Sequence, residues 1–260
     1  MKTRSRAAML AMSSALALGA CTKAPATTNT ASGSNDRPAQ QNLSVDPGST
    51  EAPGPSSPER TAHSSAAQIK VAKAEVKESP DPKSKTITTL SQKNKLGSKT
   101  TLLVLDTKDG WVHVALPIRP NGSTGWIQQP NVDVRDNEYS IRVDVGGNRA
   151  TITKAGQAVL ETPVAVGTAQ NPTPKGTFYV TDLVQTDDPK GAYGPFALGL
   201  SAHSETLTEF GGGDGQVALH GTNDPSSIGK AVSHGCVRMP NDAISKLAQM
   251  APLGTPVVIS

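Results

Sequence analysis

Tyr139-Ser140-Ile141-Arg142-Val143-Asp144-Val145 alternates apolar residues at 139, 141, 143 and 145 with Ser140, Arg142 and Asp144. A period of two is the mark of a half-buried strand. Gly146-Gly147-Asn148 follows as a hairpin turn, and Ala150–Lys154 is the return strand. The pattern recurs downstream at Ala158–Leu160, Val164–Val166, Thr177–Leu183, Gln216–Leu219 and Val257–Ile259. Only Ile244, Leu247, Ala248 and Ala251 keep helical spacing. Asn241 or Asp242 is the expected N-cap there, and Gly254 and Pro256 end the helix. Residues 138–260 therefore read as a mainly β unit with a short C-terminal helix. Two stretches interrupt the strands. Asn171-Pro172-Thr173-Pro174-Lys175-Gly176 is a loop stiffened by two prolines, and Gln185–Phe210 carries few strand signals and is read as a substrate flap. Gly211-Gly212-Gly213 precedes no helix and lacks a Lys-Ser/Thr, so it reads as a turn and not a phosphate cradle.

Upstream the strands are shorter and the turns more frequent. Ile69, Val71 and Val76 open the alternation, Pro80-Asp81-Pro82 turns it, and Thr86–Leu90 and Leu96 continue it to Gly97. Thr101–Asp106 and Trp111–Leu116 flank Lys108-Asp109-Gly110, and Arg119-Pro120-Asn121-Gly122 leads to Gly125-Trp126-Ile127. Residues 67–134 thus describe a small barrel, joined by the polar stretch Asn131–Asn137 to the next unit. The run Asp109–Ile127, DGWVHVALPIRPNGSTGWI, resembles the SH3-like modules of bacterial envelope proteins, particularly those that precede some L,D-transpeptidase domains. Trp111 and Trp126 are either core or a wall-peptide surface, and His113 is a half-buried strand position.

The N-terminus has another grammar. Lys2, Arg4 and Arg6 precede the short apolar run Ala7–Leu18, and Leu18-Gly19-Ala20-Cys21 sets small residues before a cysteine. The run is too short to span a bilayer, so residues 1–20 read as a cleaved signal. They resemble bacterial lipoprotein signals, which implies lipidation of Cys21 and a membrane anchor with no transmembrane helix; an ordinary secretory signal is the alternative. Residues 21–66, rich in Thr, Ser, Pro, Ala, Gly and Asn, read as a disordered tether in which His63 needs no role. Without Lys2, Arg4 and Arg6 the chain has 22 basic against 22 acidic residues. A neutral mature chain offers no electrostatic case for nucleic acid.

That leaves Cys236, one of two cysteines in the sequence, in Ser233-His234-Gly235-Cys236-Val237-Arg238-Met239. A core cysteine sits among apolar residues, whereas a reactive one has cationic neighbours and exposed amides. If Cys21 carries lipid, Cys236 is an unpaired thiol outside the cell; a Cys21–Cys236 disulfide is the alternative. A nucleophilic thiol needs a base within reach and a group to orient that base. His220, at the end of the Gln216–Leu219 strand with Gly221 behind it, is the candidate, with Thr222–Ala231 as a loop that can fold back. Zinc on His220, His234 and Cys236 lacks a further cysteine or carboxylate at ligand spacing, so neither metal nor cofactor is expected.

His220-Gly221-Thr222 followed by Ser233-His234-Gly235-Cys236-Val237-Arg238 closely resembles the signature of the L,D-transpeptidase (YkuD) family, as does Thr173-Pro174-Lys175-Gly176-Thr177-Phe178. The resemblance covers Tyr139–Ser260 and implies a YkuD-type β-sandwich. It implies Cys236 as nucleophile, His220 as base and the Gly221 carbonyl as its orienting group. The expected reaction is attack of a Cys236 thiolate, paired with imidazolium, on a peptidoglycan stem tetrapeptide. The Gly235 and Cys236 amides would hold the oxyanion, D-Ala would leave, and an amine of a second stem would resolve the thioester. His234 either places an N–H near the oxyanion or braces the loop, and Ser233 hydrogen-bonds within it. Arg238 either holds a substrate carboxylate or forms a structural ion pair. Tyr193 and His203 either line the groove or serve packing. A monomer is expected. The rival readings are an L,D-carboxypeptidase, an enzyme attaching other amines to the wall, and a non-catalytic wall-binding lipoprotein.

Overall fold

The structure is a computed structural model that describes residues 63–209 and 213–260. The expected signal, Cys21 with its expected lipidation, and nearly all of the expected tether lie outside the described residues, as does most of the Gly211–Gly213 turn. Seven strands form the first sheet: β1 (Ser64–Ile69), β2 (Lys73–Lys77), β3 (Thr86–Ser91), β4 (Thr101–Lys108), β5 (Trp111–Ala115), β6 (Thr124–Gln128) and β7 (Val132–Asn137). Their order is β3-β2-β6-β5-β4-β1-β7. Ala67 and Ile69 near one end and Ala74 and Val76 near the other bury into one cluster with Leu102, Val112, Val114 and Ile127. The sheet must therefore curl around its core. Trp111 is buried, whereas Trp126 is half-buried and stacks on His113 at 4.6 Å between ring centroids.

The second unit comprises β8 (Tyr139–Asp144), β9 (Arg149–Lys154), β10 (Gln157–Pro163), β11 (Val166–Gly167), β12 (Gly176–Gln185), β13 (Phe196–His203), β14 (Gln216–His220), β15 (Ala231–Ser233), β16 (Val237–Arg238), helix α1 (Asn241–Met250) and β17 (Pro256–Ile259). Eight strands pair in the order β10-β9-β8-β17-β12-β13-β14-β16, and β11 pairs with β15 apart from them. Ile141 and Val143 of the opening alternation are buried in one cluster with Ile152, Phe178, Leu198, Leu219, Val237 and, from α1, Ile244 and Leu247. The mainly β, sandwich-like architecture with one short C-terminal helix is as expected.

Four expectations need correction. Ser64, Ser65 and Ala66, read as tether, belong to β1 and pair with Asn137, Asp136 and Arg135. Small side chains are required there: a Cβ on Gly254 would come within 2.5 Å of the Ala66 Cβ. Asn131–Asn137, read as a polar link, includes β7, an edge strand whose outward residues are solvated. The supposed flap Gln185–Phe210 contains β13, which lies between β12 and β14. Its sequence, FALGLSAH, is buried from Leu200 to His203 and hides in Gly, Ser and Ala where a reader seeks Val and Ile. Asn241 is the first helical residue rather than the cap; the N-cap is Pro240, with no side-chain cap bond.

One strand joins the two cores. Phe178 and Val180 of β12 face the larger cluster, while Tyr179 between them enters the first, fully buried, its hydroxyl donating to the Ala115 carbonyl at 3.2 Å. Arg119 donates to the Ser204 and Asp214 carbonyls at 2.7 and 2.9 Å, and Asn121 exchanges two hydrogen bonds with the His203 backbone.

Candidate active site

The site grows from the parallel pairing of β14 and β16, which sets Leu219 against Val237 and His220 against Arg238. Leu219 and Val237 point into the core with no exposure. Strand alternation then turns His220 and Arg238 to the opposite face, and Cys236, one residue before Val237, joins them. Continuing the register sets Cys236 beside Ala218, whose backbone N–H acts on the thiol. With strands ~4.8 Å apart and a rise of ~3.3 Å per residue, the Cα atoms of His220 and Cys236 are roughly 8 Å apart. Side chains on a common face can close that gap. No hydrogen bond yet joins Cys236 Sγ to the imidazole among the described residues, a looseness common before substrate binds.

His220 is 5% exposed. Its Nδ1 lies 2.6 Å from the Gly221 carbonyl, which can only accept, so the Nδ1 proton is donated there and Nε2 carries the lone pair. Burial lowers its pKa to about 4; the Gly221 carbonyl opposes this and the Arg238 charge adds to it. Burial likewise pushes the Cys236 thiol up, against smaller opposing effects of the Ala218 amide and Arg238. For each group taken singly, burial favours the neutral form over the charged one.

The turn before Cys236 is held by Ser233, which is 2% exposed. Its hydroxyl donates to the Cys236 carbonyl at 2.6 Å and accepts from the Gly235 N–H at 3.1 Å. Ser233 thus has the intraloop role expected of it. The Gly235 amide, expected among the oxyanion donors, donates to Ser233 Oγ in this structure. What the turn requires of Gly235 is its φ of 120°. His234 is exposed on this turn.

The two-proline loop closes beside the turn. Thr173, 2% exposed, accepts from the Gly167 amide through Oγ1 at 2.8 Å. A Cβ on Gly167 would fall 2.2 Å from the Asn171 carbonyl, so only glycine allows this approach. The Thr168 amide donates to the Ser233 carbonyl at 3.1 Å, tying β11 to the turn that carries Cys236. A threonine between two prolines is the only mark of this role that Thr173 carries in the sequence.

On the other side, Tyr193 is half-exposed with its ring 4.8 Å from that of His220, tilted by 56°. Gly194 and Gly221 meet behind it: a Cβ on Gly221 would lie 2.4 Å from Asn241 Oδ1 and 2.9 Å from the Gly194 Cα. Asn241 Oδ1 accepts from the Thr222 amide at 2.8 Å, so the first residue of α1 fixes the chain just after His220. Arg238 has no carboxylate within ion-pair distance among the described residues, and its charge acts on the Asp224 carboxylate from further off. His203 is at the far end of β13 from Ala197, the residue paired with His220, and so lies away from the site. Among the described residues no group of three or more His, Cys, Asp or Glu side chains could hold a metal ion.

Residues 138–259 match the model of the YkuD family, the L,D-transpeptidase catalytic domain. The chain is 36% identical over 122 residues to the YkuD protein of Bacillus subtilis, covering 47% of this chain and 66% of that protein. It is 35% identical over 108 residues to YqjB of the same organism, covering 37% and 57% respectively. The chain thus spans just under two thirds of the first of these relatives. A crystal structure of a cysteine-to-serine mutant of the Enterococcus faecium L,D-transpeptidase aligns with 26% identity and a TM-score of 0.37, over 47% of this chain and 49% of that one. The C-terminal unit of the chain belongs to the L,D-transpeptidase (YkuD) catalytic domain family.

Proposed function

We propose that the protein is a peptidoglycan L,D-transpeptidase working through a thioester on Cys236. The observation that carries this reading is the common face of Cys236 and a buried His220 whose Nδ1 proton is donated to Gly221. As Sγ attacks the carbonyl carbon at the L-centre of a donor tetrapeptide, Nε2 of His220 takes the thiol proton. A neutral pair suits this order, since charge appears only when substrate has arrived. The Cys236 amide faces the developing oxyanion, without the Gly235 amide that Ser233 holds. Collapse breaks the bond to D-Ala, whose amine leaves with the proton from His220. An acceptor amine then attacks the thioester, passes a proton to His220 and regenerates the thiol, leaving two stems crosslinked. Water in place of the amine gives a tripeptide.

Arg238, with no carboxylate within ion-pair distance among the described residues, is offered to a substrate carboxylate, which its planar guanidinium matches bidentately. Tyr193 flanks the approach to His220. A lipid on Cys21 would hold the chain to a bacterial membrane facing the wall, with the first unit as an SH3-like spacer or wall contact. The reading is tested by incubating the protein with disaccharide-tetrapeptide and following products by mass spectrometry. Crosslinked dimer supports transpeptidation, tripeptide alone reassigns the enzyme as a carboxypeptidase, and unchanged substrate contradicts both.

A further inference from the structure

We infer that the joint between the two units holds a second binding site, for a primary alkylammonium group. A cavity of about 580 Å³ opens there, far from Cys236, within the size range of small-ligand sites. Its apolar walls are Leu90, Leu96, Leu102 and Ile118 of the first unit, and Asp182 of β12 lines its other side. Asp182 is only 2% exposed. Its Oδ1 accepts from Asn94 Nδ2 at 2.7 Å, and Asn94 is itself fixed because its Oδ1 accepts from the Leu96 and Ser98 amides. Oδ2 has no hydrogen-bond partner, and no cation lies within ion-pair distance of it among the described residues.

A buried carboxylate that lacks a cation is costly, and a structure that keeps one beside a cavity is matched to a positive ligand. None of the cavity's other basic groups fills the role: Lys93 lines the cavity beyond ion-pair distance of Asp182, and His203 lies 3.6 Å from Asp214 instead. Arg119 is occupied by the Ser204 and Asp214 carbonyls, and Lys95 Nζ lies out at the rim, 4.0 Å from Asp214 Oδ2. The aliphatic walls suit methylenes and the carboxylate suits the terminal ammonium, which together describe a lysine-like side chain or a free diamine. Because the walls come from one unit and Asp182 from the other, an occupant would span the joint.

Calorimetric titration of the protein tests this with cadaverine, Nα-acetyl-lysine and the neutral isostere Nα-acetyl-norleucine. Saturable binding of the amines at one site, with none of norleucine, is expected. Tighter binding of acetyl-lysine would identify a peptide side chain as the ligand, and tighter binding of cadaverine a free diamine. Asp182→Asn should weaken binding by about tenfold or more. Leu96→Ala, at a rim residue 64% exposed, should weaken it several-fold without disturbing the fold. Absence of saturable binding by either amine, equal binding of norleucine, or unchanged affinity in the Leu96 variant would overturn the inference.

Discussion

His220 and Cys236 show how a fold sets the timing of charge. Both are buried enough that their charged forms are disfavoured, and Arg238 adds to this at His220 while opposing it at Cys236. A thiol raised above its usual range has a thiolate fraction that climbs about tenfold per pH unit through neutrality. Iodoacetamide alkylation of Cys236 should therefore accelerate steadily from pH 6 to pH 9. A plateau between pH 5 and pH 7 would indicate a preformed ion pair and contradict the neutral one. The same burial couples to stability. The unfolded chain protonates His220 near its ordinary pKa of 6.5 and the folded chain only near 4. The stabilisation is thus complete above about pH 6.5 and is lost as pH falls toward 4, by about 3 kcal/mol. Urea unfolding at pH 7 and pH 4.5 should show a smaller loss in His220→Gln than in the parent.

At the scale of elements, the site depends on three segments meeting behind the base: Gly194, Gly221 and the first residue of α1. Gly221→Ala would drive a methyl group against Asn241 Oδ1 and the Gly194 Cα, and the cost should be about 1–3 kcal/mol. Asn241→Ala should leave α1 intact, since Asn241 is not its cap, yet free the Thr222 amide and lower kcat more than KM. Unchanged kcat in both variants would contradict this. Where alternation was regular, as at Tyr139–Val145, the strands were legible from sequence. Where the chain had to be small to fit, they were not. Ser64–Ala66 resembled tether because Gly254 presses on Ala66, and β13 resembled a flap because Gly199, Ser201 and Ala202 replace branched residues. The juxtaposition of Cys236, His220 and Gly221 was legible as a motif. The hydrogen bond from the Gly235 amide to Ser233 and the burial that disfavours each charged form were not, since hydrogen-bond competition and burial exist only in three dimensions.

Across the whole molecule, the two units share β12. Tyr179 anchors the first core from the second, with its hydroxyl satisfied by Ala115. Tyr179→Ala should cost about 3–5 kcal/mol, as for other buried aromatics. Tyr179→Phe, losing one hydrogen bond and leaving the Ala115 carbonyl without that donor, should cost about 1 kcal/mol. Because the cores interlock, calorimetry should show one transition in the parent and in both variants. Two resolved transitions in the parent would show the units to be independent.

Crosslinking by this route requires that Cys236 become acylated. Intact-protein mass spectrometry after brief exposure to disaccharide-tetrapeptide measures this directly. The parent protein should gain the mass of the donor less D-Ala, labile to hydroxylamine, and Cys236→Ala should gain nothing. A crosslinked product without that adduct, or an adduct that persists in Cys236→Ala, would contradict it.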